Sequence, residues 1–284
     1  MLSTKNLRCQ SEIPLLETGK LVERELKGGE VQAFRIKLVA GQFLQAVADQ
    51  KGVDVVATLF APGGEKLWEV DSPNGTSGPE VIWCVADVTG DYRLEIWSLE
   101  KDAKPGGYAV IVKQIRAAND DDRYFVSAEK EIVEAGTLIF GTGTDEARKE
   151  ATAHFLKAAT LARSIQKKDG RAKILANVGR VAGSWNGDLE LESTLLREAA
   201  ALYEESGQAD EAAHALSNVG DIQVSDYKLR AAVETYERAL AIVNAADDKK
   251  SQTAVLINMA TAFDLMGDKE SAIKRLNLAL KISE

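Results

Sequence analysis

Proline disappears from this chain after residue 105: all five (14, 62, 73, 79 and 105) lie in the first part of its 284 residues. Proline breaks helix interiors and is tolerated in turns and at sheet edges, so its loss separates two kinds of backbone. Histidine and cysteine are scarce too. His154 and His214 have no motif around them, and Cys9 and Cys84 give neither a disulfide framework nor metal-ligand spacing. Nucleophilic catalysis needs a nucleophile and a base held together. No cysteine–histidine dyad is legible, and the expectation is a protein that is not an enzyme.

No run reaches the roughly twenty apolar residues of a membrane span, so no membrane insertion is expected. Residues 1–12 lack the apolar centre of a signal peptide. Two compartments stay open: cytoplasmic if Met1 is the native start, exported if a signal peptide was removed. The net charge is -9, unevenly spread: residues 1–118 hold 14 Lys and Arg against 16 Asp and Glu, the remainder 21 against 28. Such a surface argues against a phosphate backbone, and hence a nucleic acid, as partner.

Two stretches resemble ligand sites in composition only. Gly141-Thr142-Gly143-Thr144 has the look of a phosphate cradle, but a helical pattern precedes it and Asp145-Glu146 follows. A P-loop needs a strand before it and a Gly-Lys-Ser/Thr close. The turn is read as a helix stop followed by an N-cap, and no cofactor is implied. Asp54, Asp71, Asp87 and Asp91 are scattered turn residues without the Asp-x-Asp-x-Asp run of a calcium loop.

What the chain does contain is a repeat. Leu175-Ala176-Asn177-Val178-Gly179 returns as Leu216-Ser217-Asn218-Val219-Gly220 and as Leu256-Ile257-Asn258-Met259-Ala260, at offsets of 41 and 40 residues. Ala158, Ala199, Ala239 and Ala279 keep the same beat, each three residues after Phe155, Leu196, Tyr236 and Leu276. A fixed period of this length marks a solenoid of helix pairs, in which small residues sit where two helices cross closely. The pattern predicts helices near 122–139, 145–167, 171–184, 189–205, 209–223, 228–244, 250–265 and 269–282. In the first of them Tyr124, Ala128, Ile132 and Ala135 share one face.

These repeats resemble the tetratricopeptide family. The third unit matches best, with Asn258 and Ala260 on its first helix, Gly267-Asp268 at the turn and Ala272, Leu276, Ala279 and Leu280 on its second. The middle unit has Asp226-Tyr227 at the turn, and Glu192 replaces a small residue in the first. The resemblance implies an α-α superhelix over residues 121–284, one degenerate and three clear pairs, whose inner groove binds a protein or peptide. It places Asn177, Asn218 and Asn258 in that groove, with Lys173 and Arg180 beside the first. The asparagines have a second reading, as bonds between neighbouring helices; both fit a partly buried amide.

Residues 12–116 alternate with period 2. Strands are expected near 19–26, 31–38, 42–48, 53–60, 65–70, 80–88, 91–98 and 107–115, separated by glycine and proline turns. This is the spacing of an antiparallel, jelly-roll-like β-sandwich. Alternation puts Val81, Trp83 and Val85 toward the core. Tyr92 and Tyr108, after Gly90-Asp91 and Gly107, are expected to bury their rings and direct their hydroxyls to backbone. Asp54, Leu59, Pro62 and Gly64, with Gly90-Asp91-Tyr92, resemble the bacterial pre-peptidase C-terminal sandwich.

The whole chain therefore reads as a multidomain β + α protein. It resembles the N-terminal region of bacterial repeat proteins that carry a caspase-like (CHAT) domain, which implies a scaffold. No stretch here matches that peptidase. The alternative is a cell-surface or carbohydrate-binding role led by the sandwich, with Trp68, Trp83 and Trp97 as a sugar platform or, more simply, as packing. Leu276, Leu278 and Leu280 lie on a last helix with no polar cap over it, and a homodimer through that helix is a further expectation.

Overall fold

The computed structural model describes residues 13–71, 75–98 and 100–283; Cys9 and Pro73 lie outside them. Eight strands come first: β1 (Val22–Leu26), β2 (Val31–Leu38), β3 (Gln42–Lys51), β4 (Val56–Phe60), β5 (Lys66–Val70), β6 (Ser77–Val85), β7 (Gly90–Trp97) and β8 (Gly106–Ala117). They form two antiparallel sheets, in the orders β1-β8-β3-β6 and β2-β7-β4-β5. Inward residues of both sheets make one core, with Phe34 and Ile36 of β2, Leu44 of β3, Leu94 and Ile96 of β7 and Val110 of β8 among them. This is the antiparallel sandwich that the alternation demands.

The phase of β6 is the reverse of the expected one. Glu80, Ile82 and Cys84 point inward, and Val81, Trp83 and Val85 lie half-buried on the opposite face. The exception to simple alternation is Glu80, a fully buried acid. Gln50 explains how it is tolerated: its Nε2 donates to Glu80 at 3.0 Å, while its Oε1 accepts from the Val55 amide at 2.6 Å. Burying a polar group without a hydrogen bond is costly, and Gln50 supplies one here. Trp83 in turn stacks with Phe43 and meets the edge of Phe125 at 5.0 Å. Tyr92 makes the expected corner, donating to the Val88 carbonyl at 2.9 Å; Tyr108 instead reaches the Gln32 side chain at 2.7 Å.

Eight helices follow: α1 (Asp120–Gly141), α2 (Asp145–Ser164), α3 (Lys168–Asn186), α4 (Leu189–Glu205), α5 (Ala209–Ser225), α6 (Leu229–Ala245), α7 (Lys249–Leu265) and α8 (Lys269–Ser283). The chain divides into two compact units after Val126, within α1. Asn119 and Asp122 cap α1 reciprocally, each side chain accepting from the other's amide. Of its expected face, Ala128, Ile132 and Ala135 are buried, but Tyr124 is 36 % exposed; Val126 and Ile139 complete the buried stripe. Thr144 caps α2 by accepting from the Ala147 amide, as a helix stop and restart requires.

From α3 onward the helices alternate with connections at a fixed interval. Gly187, Gly207, Tyr227, Asp247 and Gly267 each take positive φ, one every twenty residues. A left-handed residue ends a helix by turning the chain back on itself, and two such steps make the repeat of about forty. Glycine takes this conformation at no steric cost; Tyr227 and Asp247 do not.

The seams are where the small residues stand. A Cβ on Gly220 of α5 would lie 2.6 Å from Tyr236 Cζ of α6, so the ring rests on bare backbone. Gly179 of α3 meets Leu195 of α4 in the same way, at 3.2 Å. Glu192 breaks the small-residue pattern of α4, and Gly183 on α3 makes the room: a Cβ there would be 3.1 Å from Glu192 Cβ and nearer still to its carboxyl. Burial raises the Glu192 carboxyl above the usual range, against the pull of Arg180.

Replacing Gly220 with Ala tests the seam. Alanine normally gains about 0.5–1 kcal/mol over glycine inside a helix, but overpacking a rigid ring costs about 1–3 kcal/mol. Gly220→Ala is therefore expected to lower stability by on the order of 1 kcal/mol in urea unfolding. A stability equal to or above wild type would show that Tyr236 does not fix the helix spacing.

Candidate functional site

The repeated asparagines lie on α3, α5 and α7, and all three are half-buried. Lys173 precedes Asn177 by one turn and Arg180 follows it by three residues, so all three share one flank of α3. Arg180 Nη2 donates to Asn177 Oδ1 at 2.9 Å. Lys173 and Asn177 both favour the charged form of the Glu129 carboxyl on α1, against the effect of burial. Lys173, Asn177 and Arg180 are thus brought together.

Asn258 belongs to a second cluster. Its Nδ2 donates to Asp221 Oδ1 at 3.4 Å, and the same oxygen accepts from the Tyr236 hydroxyl at 2.5 Å. Burial and the Asp221 carboxylate both push the Tyr236 hydroxyl far above its ordinary value, so it acts as a donor only. Asn218 sits on the helix between, half-buried, in the turn before Asp221. The five residues expected at the groove therefore form one basic cluster on α3, an acidic one shared by α5 and α7, and a single amide between them.

Two acids were not legible as site residues, Glu129 and Asp221. Asp221 had a signal: it occupies the repeat position of Arg180, the residue directly after the small seam residue in each unit. Glu129 had none, because α1 does not keep the register of the later units.

Glu129 and Glu131 illustrate opposite balances on one helix. Burial pushes the Glu129 carboxyl up to about 7, and Lys173 and Asn177 only partly offset this. Glu131 is also penalised by burial, yet it is held below the usual range by Lys157 and His154, whose nitrogens lie 2.7 Å from its two oxygens. His154 is thereby tied to an acid, and His214 is exposed.

The sandwich residues singled out above do not converge. Trp68 is buried in the core, Trp83 packs on Phe43 and Phe125, and Trp97 donates to Thr58 at 3.0 Å. Asp91 pairs with Arg35 at 3.1 Å. Burial raises Asp71, with Asp54 and Glu69 adding to the effect. Among the described residues there is no group of three or more His, Cys, Asp or Glu placed to hold a metal ion, and no helix is long and apolar enough to cross a membrane.

With the geometry in hand, comparison with known proteins adds the following. Residues 143–281, just under half of the chain, match the model of the family "Soluble NSF attachment protein, SNAP". The match lies within the helical part, whose helices have a TPR-like repeat arrangement. Solved structures similar to one part or the other include the pre-peptidase C-terminal domain of a collagenase from Bacillus anthracis, at 14 % identity and TM-score 0.31, covering 37 % of this chain and 99 % of that one. A kinesin light chain protein with nearly identical TPR-like repeats from Podosopora anserina has 16 % identity and TM-score 0.44, covering 58 % and 78 %. Aspartyl phosphate phosphatase F from Bacillus subtilis has 13 % identity and TM-score 0.44, covering 57 % and 41 %. No curated protein matches the chain.

The raised Glu129 pKa has a consequence for stability. The folded chain holds a proton there that the unfolded chain, with its carboxyl near 4.5, releases first. Stability from this group is complete below about pH 4.5 and falls as pH rises to about 7. Glu129→Gln is expected to remove this fall and to stabilise the protein at pH 8 by on the order of 1–2 kcal/mol relative to pH 4.5. Parallel melting curves for wild type and variant between pH 4.5 and 8 would contradict it.

Proposed function

We propose that this protein is a non-enzymatic scaffold that binds a protein or peptide along the face formed by α3, α5 and α7. The observation that carries this reading is the cluster on one flank of α3, where Arg180 Nη2 donates to Asn177 Oδ1 at 2.9 Å and Lys173 stands one turn before the asparagine. Arg180 orients the asparagine, and Asn218 and Asn258 extend the row of amides along the next two odd helices. An amide offers both a donor and an acceptor to an extended peptide backbone. The family whose model matches residues 143–281 is named for attachment to another protein, which agrees with a scaffold. By its resemblance to bacterial proteins in which a sandwich and repeats precede a caspase-like domain, the role is regulatory: it holds a partner rather than transforming it.

Selection of peptides from a random display library against the full chain tests the proposal. Peptides that bind wild type are expected to bind a Lys173→Ala, Asn218→Ala double variant at least about tenfold more weakly, a loss of about 1.4 kcal/mol. The melting temperature of the variant is expected to stay close to wild type. Equal affinity for both proteins, or a melting temperature that falls in step, would assign these residues to structure alone.

A second copy of this chain is the partner proposed for α8. In earlier units the position of Leu276 is held by Phe155, Leu196 and Tyr236, which are 0 %, 2 % and 1 % exposed. Leu276 is 47 % exposed, flanked by Ile273 at 58 % and Leu280 at 59 %. One helical stripe that meets its own copy across a two-fold axis satisfies both partners at once. Light scattering on the full chain is expected to give a dimer that Leu276→Glu, Leu280→Glu converts to monomer. A wild-type monomer at about 0.1 mM would exclude it, since even a 10 μM dissociation constant would leave most of the chain dimeric.

A further inference from the structure

Asp221 differs from the acids near it in what it is bonded to. At the ends of the same two odd helices, Asp226 after α5 is paired with Lys228 at 3.0 Å, and Asp264 of α7 with Lys269. Asp221 is exposed, and its hydrogen bonds come from neutral groups: the Tyr236 hydroxyl of α6 at 2.5 Å and the Asn258 amide of α7 at 3.4 Å. Both fall on Oδ1. Among the described residues, Oδ2 receives no hydrogen bond and no cation pairs with the carboxylate.

The two donors fix this carboxylate in place. Tyr236 is 1 % exposed and its ring lies on the bare backbone of Gly220, so its hydroxyl cannot follow a moving acid. Asn258 adds a hold from the next odd helix. A surface aspartate usually ranges over several rotamers, and a ligand that bound it would have to stop that motion. Here the ordering is complete before a ligand arrives.

Satisfying Tyr236 does not require a charge. A buried tyrosine hydroxyl needs an acceptor, and an asparagine oxygen would serve equally. The position after the seam residue holds Arg180 in one unit and Thr261 in another, so the repeat does not ask for an acid there. What the carboxylate adds is a negative charge, uncompensated and three residues from Asn218 on the same helix. The open oxygen also limits the shape of a cation. A guanidinium pairs best through two parallel bonds, one to each carboxylate oxygen, and Oδ1 is taken. An ammonium is a point charge that needs only one oxygen.

We propose that Asp221 is a cation-binding residue and that its Oδ2 receives the ammonium of a lysine side chain from the partner. The inference rests on the reading of α3, α5 and α7 as the binding face, and it adds the chemistry that the partner offers between α5 and α7. Tyr236 and Asn258 hold the acid ready.

Nuclear magnetic resonance titration of the full chain tests this, read at the Asp221 carboxyl carbon and the Asn258 side-chain amide. The probes are acetyl-Ala-Lys-Ala-amide, the same peptide with norleucine or arginine at the centre, and Ala-Ala-amide with a free N-terminus. The lysine peptide is expected to shift both signals saturably. The norleucine peptide is expected to bind at least about tenfold more weakly, as the loss of a charge-assisted hydrogen bond implies, and the arginine peptide more weakly than lysine. Asp221→Asn keeps an acceptor for Tyr236 and removes the charge. It is expected to abolish the preference for lysine over norleucine while the melting temperature stays close to wild type.

Equal binding of lysine and norleucine by wild type, or no saturable shift by the lysine peptide at tens of millimolar, would overturn the proposal; neither measurement needs a variant. A lysine preference that survives in Asp221→Asn would overturn it too, as would arginine bound more tightly than lysine. Shifts by Ala-Ala-amide without shifts by the lysine peptide would overturn the lysine assignment in favour of an N-terminal ammonium. The scaffold reading outlives each of these results if library-selected peptides still shift Asn177 or Asn218. Selected peptides that shift none of the three asparagines would remove the scaffold reading itself.

Discussion

The ring of Tyr236 lying on the bare backbone of Gly220 governs both the packing of the repeats and the face they present. With no Cβ beneath it, the ring comes close enough for its hydroxyl to reach Asp221, the next residue of the same helix. Asp221 then receives Asn258 from α7. One close approach therefore sets the spacing of α5 and α6 and, through a single oxygen, aligns α7 with α5. A larger residue at 220 would lift the ring and withdraw its hydroxyl together.

The first clear unit has a seam of another composition. Its seam has Gly179 and Gly183 on α3 against Leu195 and Glu192 on α4, so an acid replaces the small residue of the second helix and a second glycine on the first makes the space. The room for the larger acid comes from the facing helix, as a close-packed interior requires. The connections show a similar tolerance. A tyrosine and an aspartate take the left-handed conformation at two of five turns, because the twenty-residue spacing of the helices leaves no other way back.

Charge along the odd-helix face is sorted by unit. The position after each seam residue is Arg180, then Asp221, then Thr261. At α5 one oxygen of the acid is already satisfied by a tyrosine and an asparagine.

Local physics made most of the architecture legible in advance. Period-2 alternation in residues 12–116, the absence of proline after residue 105 and the forty-residue return of Asn and a small residue depend only on neighbours along the chain, and they determined eight strands, eight helices and the small-residue seams. Tertiary structure alone decided the rest. The phase of β6 was reversed because Glu80 finds Gln50 thirty residues away, a contact that no alternation can register. Asn258 meets Asp221 for the same reason: a hydrogen bond between two helices is set by how they pack, not by what each one spells. The exposure of Leu276, at a position buried in every earlier unit, likewise follows from what lies against α8 and not from its own pattern.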